Sequence, residues 1–495
     1  MRSFCLTSVI RILLWSVIWL PIISSAAEDV PLSEETEACI LCHESINSGI
    51  IHDWKNSRHA QITPAAALQK PALERRISNE AIPPELASTA VGCYECHSLN
   101  TADHADSFEH FGYEINIIVS PKDCQTCHLE EATQYANSKK AHAIANLREN
   151  PLYHTLVQTT LGVQSYDETG WTHAAASGTT ENETCFACHG SEVMVLGMRD
   201  VETDFGEITV PHLANWPNQG VGRKNPDGSL GACTSCHPRH SFSIEIARKP
   251  YTCSECHLQP DVPAWDVYQE SKHGNIFFSQ QDQWNWTHVP WRVGQDFQSP
   301  TCATCHNSLL TDPSGETVIA ERTHDFGARL WVRLFGLIYS HPQPKTGNTT
   351  HIRNKDGLPL PTAFDGEIAA EYLLTPEEQT ERKNTMKRVC QPCHGPSWTL
   401  GHFAQMDSTL AETDQMVYAA TQLMQQAWDT GLADPENPFD EHLEKKWVEL
   451  WLFYANSIRY ASAMCGQDYA TFKNGWWQLN QNLEYLKTVI QNDSK

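Results

Sequence analysis

The sequence predicts a mainly α protein, in which a long body with few strands is followed by a bundle of long helices. One short cysteine–histidine motif recurs in the first 400 residues at irregular intervals of 20 to 88 residues. Tight-turn signals such as Asn225-Pro226-Asp227-Gly228 separate the copies. Later in the chain, residues 403–431, 438–463 and 468–490 lack internal proline and space apolar residues by three and four, which is typical of helices.

The first 27 residues predict a secretory signal peptide, 1–27. Arg2 and Arg11 provide positive charge, an apolar run follows, and small residues end at Ala27. A retained membrane anchor is the alternative, although the run is short for a span. No later segment has the uninterrupted apolar length that a span requires. We therefore expect the mature protein to be soluble, exported to the periplasm, and without a membrane span.

The composition of the chain limits the kinds of partner that it can have. The 495-residue chain carries a formal charge of −25 and has 40% hydrophobic residues, enough for globular cores. Because an acidic chain repels phosphate backbones, nucleic acid is excluded as a natural partner. A redox protein that exchanges electrons with this chain fits the composition better.

The chain contains 18 cysteines and 24 histidines, which is unusual for its length. Sixteen of the cysteines form eight copies of Cys-x-x-Cys-His, called frames one to eight in chain order. The frame cysteines are Cys39, Cys42, Cys93, Cys96, Cys124, Cys127, Cys185, Cys188, Cys233, Cys236, Cys253, Cys256, Cys302, Cys305, Cys390 and Cys393. The frame histidines are His43, His97, His128, His189, His237, His257, His306 and His394.

This frame suits covalent attachment of a c-type haem. Two intervening residues let both sulfurs reach the two vinyl groups on a haem edge, and the adjacent histidine becomes the proximal iron ligand. The sequence therefore predicts eight c-type haems. A zinc site would not require histidine at the next position every time, and a disulfide framework would not repeat one spacing; these are the weaker alternatives.

Histidines outside the frames are candidates for the second axial position of each haem. An electron-transfer haem usually takes a second histidine, whereas a catalytic haem leaves one position open. Six spare histidines share local contexts, three of them after an aromatic residue and a turn rich in Ser, Lys or Arg: His59, His104, His142, His240, His273 and His324. A seventh ligand could be any of His52, His110, His154, His173 and His212.

We divide the mature chain into a haem-bearing body, 28–400, and a C-terminal helical region, 401–495. The three long helical segments of that region are too long to be linkers between haems. We expect them to pack on the body or on another subunit, and their Trp and Tyr residues can be explained by core packing alone.

The pattern resembles the octahaem hydroxylamine oxidoreductases and their nitrite-reducing relatives. The resemblance covers most of the mature chain and includes eight frames in similar order, the block from His237-Pro238-Arg239-His240 to the sixth frame, Tyr268–Gly274, Gln283–Trp286 and the helical tail. It implies a chain of haems with one open haem, on frame four (Cys185, Cys188 and His189), where small nitrogen compounds react. It also implies a homotrimer formed through the helical region.

Two departures from that family bear on the direction of the reaction. Oxidising members have an Asp-His pair after frame six, whereas here Asp261 is followed by Val262. Oxidising members also use a tyrosine bonded to the catalytic haem, and alignment places Phe472 there, with Tyr469 three residues away. The resemblance therefore favours reduction of nitrite or hydroxylamine to ammonium, with hydroxylamine oxidation as the alternative.

Asp261 is predicted to carry protons in either direction, because both reactions couple proton and electron transfer. Tyr339 and His341 are further candidates on the open side of that haem. The plainer interpretations are a surface turn acid for Asp261 and packing for Tyr339. An alternative function of another class is a non-catalytic electron conduit in which every iron has two axial ligands. A further alternative is an enzyme of the same kind that acts on sulfur oxyanions such as tetrathionate.

Overall fold

The computed structural model describes residues 30–331, 343–464 and 472–493, and it confirms a mainly α fold with few strands. The described residues of the body form eighteen α-helices: α1 Glu34–Ile46, α2 Ser48–Lys55, α3 Arg58–Gln61, α4 Pro64–Leu68, α5 Pro84–Ala87, α6 Cys93–His97, α7 Pro121–Gln125, α8 Leu129–Ala136, α9 Ala143–Arg148, α10 Pro151–Leu161, α11 Gly178–Glu183, α12 Cys185–His189, α13 Ile244–Arg248, α14 Pro250–Ser254, α15 Ala264–Glu270, α16 Lys272–Gln280, α17 Cys302–His306 and α18 Pro376–Cys390. Short 3-10 turns occur at Ala72–Glu74, Thr101–Asp103, Cys233–Ser235, Gln281–Gln283 and Ala370–Tyr372.

The strands form four small sheets at separate places in the body. The strands are β1 Ser107–His110, β2 Tyr113–Asn116, β3 Val163–Asp167, β4 Gly170–Ala174, β5 Met194–Thr203, β6 Gly206–Ala214, β7 Trp291–Arg292, β8 Leu310–Thr311 and β9 Val318–Ala320. The first six pair as three antiparallel hairpins, and β7, β8 and β9 form one three-stranded sheet. None of these sheets forms a continuous layer that could bury a core, so the helices organise the body.

Frames two, four and seven form the short helices α6, α12 and α17. The two cysteines are three positions apart and the histidine is four positions after the first cysteine. Positions at these spacings lie on one face of a helix. The helical conformation therefore directs both sulfurs and the imidazole of a frame toward the same side, as attachment of one haem requires.

The long C-terminal helices are observed close to where the sequence predicts them. They are α19 Pro396–Asp429, α20 His442–Val448 continued by a π-helical segment Glu449–Tyr454 and α21 Ala455–Met464, and a π turn Phe472–Trp476 followed by α22 Trp477–Asp493. The predicted boundary at residue 400 falls inside α19, because Pro396 at the first turn starts this helix directly after frame eight.

The bundle has its own apolar core and packs on the body. Val417, Ala420 and Met424 from α19 are fully buried together with Trp447 and residues from α22. Trp447 also donates a hydrogen bond from Nε1 to Thr421 Oγ1 at 3.0 Å, which satisfies its polar atom. From the body, α10 contributes partly buried apolar residues to this core. Core packing therefore accounts for Trp447.

Within the described ranges, no helix is both long enough and apolar enough to cross a membrane.

Candidate haem sites

A continuous internal cavity of about 3330 Å³ runs through the body. It is several times larger than a pocket for one drug-sized ligand, which measures about 300–1,000 Å³. Every frame contributes a cysteine or its histidine to the lining, from Cys39 of frame one to His394 of frame eight. None of the sixteen frame cysteines is joined to another by a disulfide. The cavity and its sulfur and imidazole groups therefore fit several covalently attached haems.

Thiols from different frames contact one another along this cavity. Cys124 contacts Cys233, so frames three and five are adjacent. Cys188 of frame four contacts Cys256 of frame six. Cys253, also of frame six, contacts Cys302 of frame seven. Frame six therefore lies between frames four and seven, an order suited to passing electrons between neighbouring groups.

Several frame histidines are oriented through their Nδ1 atoms. His97 Nδ1 lies 2.8 Å from the carbonyl oxygen of Asn116, and His189 Nδ1 lies 3.3 Å from that of Ala143. His43 Nδ1 lies 2.9 Å from Asn47 Oδ1. A hydrogen bond at Nδ1 fixes the tautomer and leaves the Nε2 lone pair for a metal. This is the arrangement that a proximal ligand needs.

Four frame histidines face a second histidine at nearly constant distance. Metal–imidazole bonds of about 2 Å place two axial ring centroids about 6 Å apart. The pairs and their centroid distances are His43–His110 at 6.2 Å, His128–His59 at 6.2 Å, His237–His324 at 6.5 Å and His394–His273 at 6.1 Å. The structure thus brings three of the six spare histidines, and His110 of the five open alternatives, to frame histidines.

Burial keeps these imidazoles neutral. It lowers the pKa of His59, His273 and His324 to about 4, with a further contribution from the facing histidine in each pair. A fourth spare histidine, His240, also has a pKa of about 4, because of burial and then the nearby His97 of frame two. Neutral imidazole is the form that binds a metal.

The interpretation of His104 as an axial ligand is wrong. Both of its ring nitrogens are engaged by carboxylates, Nδ1 at 3.0 Å from Asp106 and Nε2 at 3.2 Å from Asp123. The side chain is fully buried, and Asp227 lies 3.8 Å from Nε2. Burial opposes the charge on His104, but the hydrogen bonds with Asp106 and Asp123 outweigh it and raise the pKa to about 10. No nitrogen is left for iron.

His142 also differs from its prediction. It lies in the turn before α9, its ring hydrogen bonds to the backbone of Ala136, and it is not among the residues that line the cavity. The residue of this turn that reaches a frame histidine is Lys140, whose Nζ lies 2.8 Å from His257 Nε2. A residue two positions before His142 lines the cavity instead.

Frame four is surrounded by groups that could move protons. The carboxylate of Asp261 interacts electrostatically with Cys185, Cys188 and His189. It also interacts with the buried Tyr460 of α21, whose pKa is raised above its usual range first by burial and then by this charge. Asp261 and Tyr460 both line the cavity. The role of Asp261 as a proton carrier stays a prediction.

A close backbone approach holds frame four in place. Gly190 follows His189 with φ +92°, and a Cβ there would lie 2.2 Å from the backbone nitrogen of Arg223. Gly222 fits equally tightly, since its Cβ would lie 2.6 Å from the His189 oxygen and 2.8 Å from the Ile144 nitrogen. These glycines let the end of frame four pack against α9.

For some of the predicted residues the structure does not give a side-chain position. Tyr339, His341 and Tyr469 lie outside the described residues, and for Phe472 only the backbone is described.

The sequence interpretation missed three groups that line the cavity: Lys140, Tyr460 and His402. His402 is buried enough for its pKa to be lowered, and it stacks on Trp398, which stacks on His394 with ring centroids 3.8 Å apart. The signal for His402 was its spacing of four from Trp398, one helical turn along the same face of α19. For Lys140 and Tyr460 no local signal exists.

The frames and the cavity define a multihaem c-type cytochrome. Residues 226–320 match the family model described as seven times multi-haem cytochrome CxxCH, and residues 38–112 match that of cytochrome c554 and c-prime. A solved structure named hypothetical multiheme protein has 43% sequence identity and a TM-score of 0.88, over 94% of this chain and 97% of that one. This chain therefore belongs to the same family of multihaem cytochromes as that protein.

Two relatives from Kuenenia stuttgartiensis are more distant. A probable nitrite reductase-hydroxylamine oxidoreductase fusion protein is 29% identical over 227 residues, 39% of this chain and 26% of that protein. The matched region thus spans about a quarter of the fusion protein. A reducing HAO-like protein complex has a TM-score of 0.61 at 17% identity, covering 93% of this chain and 85% of that one, which shows a shared fold.

Proposed function

We propose that this protein carries eight c-type haems, one per frame, and reduces nitrite or hydroxylamine to ammonium at the haem on frame four. The observation that carries the proposal is the interaction of Asp261 with His189, with both frame-four cysteines and with Tyr460. The similarity to a protein named nitrite reductase-hydroxylamine oxidoreductase supports nitrogen compounds as the substrate class.

A c-type haem with one open axial position supplies a binding point for a small nitrogen compound and exchanges electrons with it. The residues of the chain supply protons and orientation. Asp261 is exposed to solvent and also lines the cavity, so it can take protons from water and pass them to departing oxygen atoms. Because Tyr460 keeps its proton, its phenol can donate a hydrogen bond to an oxyanion.

Haems held by the remaining frames would supply electron transfer to this site. We assign His110, His59, His324 and His273 as second axial ligands on frames one, three, five and eight, because each faces the frame histidine at 6.1 to 6.5 Å. His240 takes the same role on frame two. Two nitrogen ligands close an iron to substrate, so these haems are suited to electron transfer alone.

The experiment compares directions of reaction in the purified holoprotein. We expect ammonium production from nitrite and hydroxylamine with a low-potential electron donor to exceed hydroxylamine oxidation with a cytochrome acceptor. We also expect spectroscopy of the oxidised protein to contain a high-spin haem signal that nitrite perturbs. Faster hydroxylamine oxidation, or the absorbance of a tyrosine-bonded haem, would instead favour hydroxylamine oxidation as the function.

The second candidate function is a non-catalytic electron conduit, which the four facing histidine pairs favour. It requires every iron to be low-spin and unresponsive to nitrite, so the same spectra distinguish the two functions. Export through the signal at 1–27, a redox-protein partner and a homotrimer complete the proposal. Tyr339 and His341 stay predictions for the open side of the frame-four haem.

A further inference from the structure

Frames one and eight are the two frames that reach the surface of the protein. Of the sixteen frame cysteines, all of which lie in the described ranges, only Cys42 of frame one and Cys393 of frame eight are exposed. The frame sulfurs bind one edge of a haem, so an exposed sulfur marks a haem edge that a partner in solution can approach. Electrons therefore have two candidate places to enter or leave the protein.

Exposed apolar side chains lie at frame one. Leu41, inside the frame, is 82% exposed, and Ile46, the last residue of α1, is 50% exposed. Phe111 is 64% exposed, and its ring centroid lies 4.9 Å from that of His110, which faces the histidine of frame one. None of the three belongs to the lining of the cavity that fits the haems. We call Leu41, Ile46 and Phe111 the frame-one patch.

Acidic side chains adjoin this patch. Those in α1 are Glu34, Glu35, Glu37 and Glu44. Glu109 and Glu114 stand directly opposite each other on the β1–β2 hairpin, whose turn carries Phe111. Like charges directly opposite each other destabilise a hairpin, and no salt bridge within the described residues neutralises either of these two. An apolar patch with a polar rim is typical of a site for another protein, and here the rim is negative.

The surface at frame eight carries the opposite charge. Lys387 and Arg388 lie in the last turn of α18, directly before Cys390. Leu400 of α19 is 58% exposed there, so frame eight also combines an exposed cysteine with an exposed apolar side chain. The sign of the neighbouring charge is what distinguishes the two frames. A cationic partner is attracted to frame one and repelled at frame eight.

We propose that the frame-one patch docks a small, positively charged electron-transfer protein whose redox centre is surrounded by lysine side chains. Opposite charges steer such a partner to the patch, and transient redox complexes need less than about 1,200 Å² of buried surface. A second copy of this chain fits less well, because two negative rims repel each other.

The proposal rests on haem attachment at frame one and on the redox partner of the proposed function. Each docking event moves one electron. The metal of the partner is oxidised by one electron and the frame-one iron passes from ferric to ferrous, with no proton transferred and no covalent bond changed. Two axial histidines on this iron suit that role.

The first test uses the full-length holoprotein and a lysine-rich mitochondrial cytochrome c as the basic probe. The reduced holoprotein passes one electron to the ferric probe through the same surface, in the reverse direction, and stopped-flow absorbance gives the second-order rate constant. We expect this rate constant to fall as ionic strength rises, because salt screens the attraction. Glu109→Gln/Glu114→Gln should lower it by about 10-fold at low ionic strength, the lower range for loss of electrostatic steering.

Glu377→Gln/Glu381→Gln is the matched control for that double variant. It removes two exposed acids from α18, which leads to frame eight, and changes the net charge equally. We expect it to leave the rate constant unchanged. Equal effects of the two double variants would mean that only net charge matters and would overturn the proposal, as would faster reaction with an acidic plastocyanin than with cytochrome c.

The second test removes the apolar contact. Phe111→Asn suits the backbone, since Phe111 has a φ of +49° and asparagine accepts positive φ. It should weaken binding of zinc-substituted cytochrome c by about 10-fold in isothermal titration calorimetry, whereas Leu400→Asn at frame eight should not weaken it.

Unchanged binding in Phe111→Asn would overturn the proposal. So would an oligomer that this variant dissociates in sedimentation velocity, because the patch would then join copies of the chain. None of these results affects the reductase proposal, which depends on nitrite perturbing the frame-four haem without any protein partner.

Discussion

The imidazole of His110 lies opposite that of His43, with ring centroids 6.2 Å apart. His110 is the last residue of strand β1, whereas His43 lies in α1, 67 residues earlier in the chain. A hairpin thus delivers a histidine to frame one, while helices deliver His59 and His273 to frames three and eight. The facing distance is shared, although the local structures that present the second histidine differ.

Replacing His110 with alanine should open the haem on frame one. We expect one additional high-spin haem per chain in the oxidised protein, because an iron that loses one strong nitrogen ligand takes water or stays five-coordinate. Electron paramagnetic resonance with spin quantitation measures this. His442→Ala is the control, because His442 is exposed on α20 and does not line the cavity. Unchanged spin states in His110→Ala would remove His110 from the ligand set.

Replacing Asp261 with asparagine should slow nitrite reduction while leaving the haems intact. We expect kcat to fall by about 100-fold, the lower range for loss of a general acid. Haem content and the high-spin signal should not change, since Asp261 is not assigned as a ligand. Asp282→Asn, an exposed acid outside the cavity lining, is the control. If Asp261→Asn keeps full activity, Asp261 is a surface turn acid.

Replacing Gly190 with alanine should destabilise the region around frame four. A Cβ at this position would lie 2.2 Å from the Arg223 backbone nitrogen, and the positive φ adds strain. Gly197→Ala is a matched control, because Gly197 also has a positive φ, +129°, but nothing within 4 Å of its Cβ. We expect Gly190→Ala to cost about 1–3 kcal/mol more in free energy of unfolding than the control, measured by denaturant titration. Equal costs would mean that the backbone shifts freely there.

The buried His104 predicts a loss of stability at alkaline pH. Its pKa is raised to about 10 in the folded protein by hydrogen bonds with Asp106 and Asp123, which outweigh burial. Since the unfolded value is about 6.5, the stabilisation is fully present below that pH and is lost as the pH rises through about 10. We expect the free energy of unfolding to fall between pH 7 and pH 10.

The variant His104→Gln tests this origin of the pH dependence. Removing one partner of a buried charged network costs about 3–5 kcal/mol, so the variant should be less stable at pH 7. Its stability should also depend less on pH between 7 and 10 than that of the wild type. An unchanged slope would show that other groups cause the alkaline loss.

The sequence predicts the attachment points because the chemistry of haem attachment is local. Both sulfurs and the imidazole of a frame such as Cys185–His189 come from five consecutive residues, so their spacing can be recognised without knowledge of the tertiary structure. The C-terminal helices could be predicted for a similar reason, since the three- and four-residue spacing of apolar residues in α19 and α22 is a local pattern.

The second axial ligands of the haems could be predicted only in part from the sequence. Shared contexts selected His59, His273 and His324, which the structure places opposite frame histidines, but the same reasoning chose His104, whose nitrogens face Asp106 and Asp123. It also chose His142 where Lys140 reaches the cavity. Neighbouring residues indicate that a side chain follows a turn, but they do not indicate the direction in which that side chain points.

By itself the sequence determined the class of cofactor and the helical character of the chain, and it predicts the attachment residues, because all of these depend on neighbours a few residues apart. Tertiary structure alone decided which histidine faces which frame, that the charge of Asp261 acts on Tyr460 and on frame four, and that the amine of Lys140 lies 2.8 Å from Nε2 of His257. These pairings join residues far apart in the chain, and they are fixed by how helices and hairpins pack around one shared cavity.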